Sequence, residues 1–66
     1  MTITFNPENY GQLLAKYQPK VITNDKENEQ AISIAEELAH KPNRTSEESA
    51  LYQLLITLIE KYENDT

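Results

Sequence analysis

Thr45-Ser46-Glu47-Glu48-Ser49-Ala50-Leu51-Tyr52-Gln53-Leu54-Leu55-Ile56-Thr57-Leu58-Ile59-Glu60-Lys61-Tyr62-Glu63 is the stretch on which the fold turns. It opens on Thr45 with Glu48 three residues later, the pattern in which a hydroxyl and a carboxylate each satisfy a free amide of a starting helix. Four of the chain's seven leucines follow. At about 100° per residue, Leu51, Tyr52, Leu54, Leu55, Ile56, Leu58, Ile59 and Tyr62 cover roughly 200° of the helix and leave Gln53, Thr57 and Glu60 to water. A helix with so wide an apolar arc needs more than one neighbour.

Upstream, Pro42-Asn43-Arg44 makes a tight connection to a second helix, which starts at the cap Asn24, with Glu27 in capping-box register, and is expected over 25–41 before Pro42 stops it. Its Ala31, Ile32, Ile34, Ala35, Leu38 and Ala39 fall within about 160°, a face for one neighbour. The far side carries Lys26, Glu29, Ser33, Glu37 and His40, and Glu37 with Lys41 stands in the favoured i, i+4 order. Asn6-Pro7-Glu8 caps a shorter first helix over 7–17, weakened by Gly11 and ended by Pro19. Between them, residues 18–23 form a connector whose Val21 and Ile22 are expected to pack inward. The spacing therefore predicts an all-α domain of three helices over 7–17, 25–41 and 46–63, a short N-terminal helix plus an antiparallel hairpin. As a homodimer, two such hairpins would pair into a four-helix bundle.

The 66 residues suffice for one small domain and a marginal core. The absence of cysteine excludes a disulfide framework, a thiolate zinc site and a cysteine nucleophile, and it suits a reducing, cytoplasmic setting. The N-terminus lacks a basic, apolar leader, and no segment is apolar for long enough to span a bilayer, so no membrane association is expected. With 11 acidic and 6 basic residues the net charge is −5, which repels nucleic acid and anionic lipid and steers basic partners.

Catalytic constellations are missing, so no enzyme, cofactor or metal is expected. His40 is the only histidine, and in the last turn of its helix it reads as a terminal residue favourable to the dipole. Glu37-Leu38-Ala39-His40 has the Glu-x-x-His spacing of di-iron bundles, yet both side chains point away from the apolar arc. Glu60-Lys61-Tyr62-Glu63 resembles the acidic pairs that hold magnesium in helical nucleotide pyrophosphatases, but no second pair follows on another helix. Lys16, Lys20, Lys26, Lys41, Arg44 and Lys61 are scattered and assemble no nucleic-acid patch. The four tyrosines therefore read as core or rim residues. What remains is apolar surface for a protein partner, or for a second copy, on the third helix and on the Ile3, Phe5 strip.

Thr4-Phe5-Asn6-Pro7 with Tyr10, Tyr17-Gln18-Pro19-Lys20-Val21-Ile22, Glu27-Asn28-Glu29-Gln30-Ala31, Pro42-Asn43-Arg44-Thr45 and Leu54-Leu55-Ile56-Thr57-Leu58-Ile59-Glu60, taken in order, resemble the N-terminal region of HigA-type antitoxins over nearly the whole chain. The resemblance implies a member of a type II toxin-antitoxin system that binds and neutralises a basic, RelE-like mRNA interferase of the HigB type and serves as a transcriptional autoregulator. It also implies that operator DNA is contacted only through a helix-turn-helix domain beyond Thr66, not by these residues. Candidate toxin contacts are Ile3, Phe5, Tyr52, Ile56 and Ile59 as apolar anchors with Glu60 and Glu63 at the rim, since these extend past the face the second helix needs. The alternative is a helical self-association module without direct toxin contact.

Overall fold

Asn6 begins the first helix by turning its side-chain oxygen onto the N–H groups of Glu8 (2.9 Å) and Asn9 (3.4 Å), while Pro7 takes the first helical position, where no donor is needed. The computed structural model describes residues 5–65, in which α1 spans Pro7–Tyr17, α2 Asp25–His40 and α3 Ser46–Asp65, with no strand among the described residues. The three-helix, hairpin-containing architecture expected from the spacing is the one found.

Local chemistry explains each end. At the close of α1, Gln18 takes the left-handed conformation (φ 48°, ψ 56°) and donates its N–H to the Leu14 carbonyl at 2.7 Å, immediately before Pro19. Asn24 caps α2 by accepting the Glu27 N–H at 2.8 Å. The Glu27 carboxylate does not return to Asn24. It accepts the backbone N–H and hydroxyl of Thr23 (3.0 and 2.9 Å) and the Lys20 ammonium (2.6 Å), so it fastens the connector to the helix. The Lys20 bond first, then those from Thr23, hold this carboxyl down at about 2 from an ordinary 4.5.

Helix α2 stops at His40, one residue before the expected end, because Lys41 precedes Pro42 and takes extended angles (φ −73°, ψ 123°). That departure redirects its side chain: the Lys41 ammonium pairs with the Glu48 carboxylate across the loop, and not with Glu37 one turn back as the i, i+4 order suggested. Glu48 meanwhile completes the reciprocal capping box, its carboxylate accepting the Thr45 N–H at 3.0 Å and its own N–H donating to the Thr45 hydroxyl at 3.1 Å. Helix α3 runs two residues past Glu63, with Lys61 paired to Asp65 in its last turn.

Packing centres on α3. Both α1 and α2 lie against it, and they do not pair with each other. The buried core is Ile22 from the connector, Ala31, Ala35 and Leu38 from α2, and Leu51, Leu55 and Ile59 from α3, a one-residue-per-turn stripe on the central helix. Leu51 is completely inaccessible. Helix α1 buries no residue fully and holds on through half-buried Tyr10, Leu13, Leu14 and Tyr17. Val21 departs from expectation: it is 58% exposed while Ile22 is buried, because adjacent residues of an extended segment point to opposite sides. The result is an elongated body of 41 × 21 × 20 Å, about two helix diameters across.

Two polar contacts pin the hairpin at its ends. At the turn, Arg44 donates to the Leu38 carbonyl at 3.3 Å and lies 5.1 Å over the Tyr52 ring. At the open end, the Tyr62 hydroxyl donates to Asp25 at 2.5 Å, and this acceptor raises the Tyr62 hydroxyl above its ordinary pKa.

Candidate apolar groove between the second and third helices

Alanines at positions 35 and 39 decide the shape of the surface between α2 and α3. A larger side chain one turn apart at either position would fill the furrow, whereas a methyl group leaves it open. The groove has a volume of about 190 Å³ and is lined by Ile32, Ala35, Glu36 and Ala39 of α2 and by Tyr52, Ile56, Ile59 and Glu63 of α3. Six of these eight are apolar or aromatic, and the two others are acidic. Ile59, 8% exposed, forms the floor, while Tyr52 and Ile56 are half-buried on one wall. Arg44 lies over the Tyr52 ring and fixes that end.

The candidate contacts separate in space. Tyr52, Ile56, Ile59 and Glu63 come together on this groove. Glu60 is exposed about 40° further round α3 from Ile56 and does not line it. Phe5 is 43% exposed, with its ring 5.5 Å from that of Tyr10, and lines no part of the groove. Ile3 lies outside the described residues. Ile32, Ala35, Glu36 and Ala39 were missed as site residues, because their apolar members belong to the arc that α2 turns to its neighbour. The signal that could have found them is the pair of alanines four residues apart facing a helix whose own arc was too wide for one partner.

The acidic pair at the start of α3 is scaffold. Buried Glu47 accepts the Asn6 N–H at 2.7 Å and so ties the first turn of α1 to the first turn of α3. For Glu48, the Lys41 ammonium and then the Thr45 N–H hold the carboxyl below its ordinary value, while Glu48 in return raises Lys41. Sequence reading found the local cap in Glu48 and missed the long-range bond of Glu47, which spans 41 residues of chain.

Glu37 and His40 are both exposed, and no group of three or more metal-ligating side chains occurs among the described residues. Most of the positive charge is engaged within the chain: Lys20 with Glu27, Lys41 with Glu48, Lys61 with Asp65, Lys16 over Tyr17 and Arg44 over Tyr52. No helix among the described residues is long and apolar enough to cross a membrane. The chain matches no family model, no curated protein and no solved structure.

Proposed function

We propose that this chain is the protein-binding, N-terminal domain of a HigA-type antitoxin, which neutralises a basic, RelE-like mRNA interferase of the HigB type by direct contact. The observation that carries the protein-binding role is the apolar groove with acidic lips between α2 and α3, on a chain of net charge −5. Acidic charge steers the encounter with an RNA-handling, basic toxin, and apolar surface supplies affinity after contact. The antitoxin identity itself is supported by the ordered resemblance of short segments across the sequence. Within that reading, autoregulation at operator DNA belongs to a helix-turn-helix segment beyond Thr66.

The test is to mix the chain with a HigB-type toxin and measure mass by light scattering coupled to size exclusion, at two salt concentrations. A complex that weakens with added salt is the expected result, with a parallel loss of the toxin's RNA cleavage. Separate elution, with this chain at twice its monomer mass, would overturn the reading in favour of a self-association module that pairs two hairpins.

A further inference from the structure

We infer that the α2/α3 groove is a seat for an amphipathic helix of the partner, about three turns long, apolar on the face it buries and carrying Lys or Arg along both flanks. The inference rests on the antitoxin reading and names the chemistry of its contact.

Length comes first. On α3 the groove runs from Tyr52 to Glu63, a rise of about 16 Å, which matches three turns of a docked helix. Backbone chemistry then selects the helix. A docked strand would leave its N–H and C=O groups against Ile32, Ile56 and Ile59 with nothing to bond, since both walls are helices whose own backbone is already paired. A helix brings its backbone satisfied, and the methyl groups of Ala35 and Ala39 let its axis come close.

Charge then selects the flanks. Glu36 lines one wall and Glu63 the other, and Glu29 and Glu60 stand exposed on the next positions outward on the same two helices. Among the described residues, no lysine or arginine lines the groove. A second copy of this chain fits poorly, because a two-fold pairing would set these acidic walls against each other between two chains of net charge −5. A basic helix complements the acidic side chains on both walls and buries the apolar floor.

The experiment uses four proteins against a HigB-type toxin: the natural chain, Glu36→Lys, Glu37→Lys and Ile56→Ala, with helicity checked by circular dichroism and affinity measured by calorimetry. Glu36→Lys and Glu37→Lys change the net charge equally, but Glu37 lines a different cleft, beside Lys16, Tyr17 and Lys41. Glu36 is exposed, so its substitution leaves the fold intact even if Ile56→Ala loosens it. Expected are a loss of at least about 10-fold for Glu36→Lys, with a flatter salt dependence, and at most about 2-fold for Glu37→Lys. Ile56→Ala is expected to lose about 10-fold. In the complex, hydrogen exchange of the toxin should show protection on a helix bearing Lys or Arg. Equal effects of the two lysine variants, or protection confined to a toxin strand, would overturn the groove assignment while leaving the antitoxin reading in place. No binding by the natural chain would overturn the antitoxin reading, and this inference with it.

Discussion

Gly11 lies in the middle of α1, a helix that buries none of its residues fully, and a Cβ built on it meets nothing within 4 Å. Gly11→Ala therefore adds a methyl group in open space and removes the excess backbone freedom that glycine has in the unfolded chain. The expected gain is about 1 kcal/mol, the difference between glycine and alanine in a helix interior. For 66 residues the unfolding entropy near the midpoint is about 140 cal/mol/K, so that gain raises Tm by about 7 °C. Circular dichroism at 222 nm during heating, with urea unfolding at 25 °C as a second measure, reads the shift. The reasoning requires α1 to unfold together with the hairpin. Its half-buried Tyr10, Leu13, Leu14 and Tyr17 and the Glu47 bond to Asn6 are what couple them. An unchanged Tm, accompanied by slower exchange of the α1 amides alone, would show α1 opening on its own and would refute the coupling. A lower Tm would refute the open space at the glycine.

Two further perturbations test the core and the charge network. Leu51→Ala removes the one completely inaccessible large side chain among the described residues and is expected to cost about 3 kcal/mol, against a total of roughly 3–10 kcal/mol for a domain of this length, so urea titration should show at least about a third of the stability gone. Because the folded-state pKa values of Glu27 and Glu48 are depressed, the stability they contribute is present above the ordinary 4.5 and lost as pH falls toward about 2, the value for Glu27. Lys41 and Tyr62 have the opposite sign: their raised values give stability that is present below 10.5 and 10.0 respectively and is lost as pH rises through the raised values. Urea midpoints measured from pH 2 to 6 should fall less steeply in Glu48→Gln than in the natural chain, and an identical slope would remove Glu48 from the account.

The acid network and the groove share one design feature, the use of glutamate for two separate purposes. At the start of α3, Glu47 and Glu48 are buried and bonded, so they hold α1, the loop and α3 in place and are not displayed to a partner. Along the groove, Glu36 and Glu63 are exposed at the lips of an apolar floor. Composition shows only the sum of these charges. Which ones stay at the surface depends on which helix face each occupies after packing.

Helix number and type, and every boundary to within two residues, were legible in the sequence because caps, prolines and a period near 3.6 act within a few residues. Asn6, Asn24 and Thr45 cap where expected, and Pro19 and Pro42 end what precedes them. Helical periodicity failed where the backbone left the helix: extended Lys41 paired with Glu48 across the loop and not with Glu37, and in the extended connector Val21 turned outward while Ile22 entered the core. The over-wide arc of α3 was likewise visible in the pattern of Leu51 through Tyr62. Its division was not, since nothing local to that helix says that α1 and α2 take separate places on it and leave Tyr52 and Ile56 half-open. The groove needs residues from two helices in register, Ala35 and Ala39 opposite Tyr52, Ile56 and Ile59, and register is set by how two surfaces interlock. Sequence alone determined three amphipathic helices with an apolar excess and an acidic balance. Only the tertiary structure decided where that excess lies open, because packing, unlike capping, is a property of pairs of helices far apart in the chain.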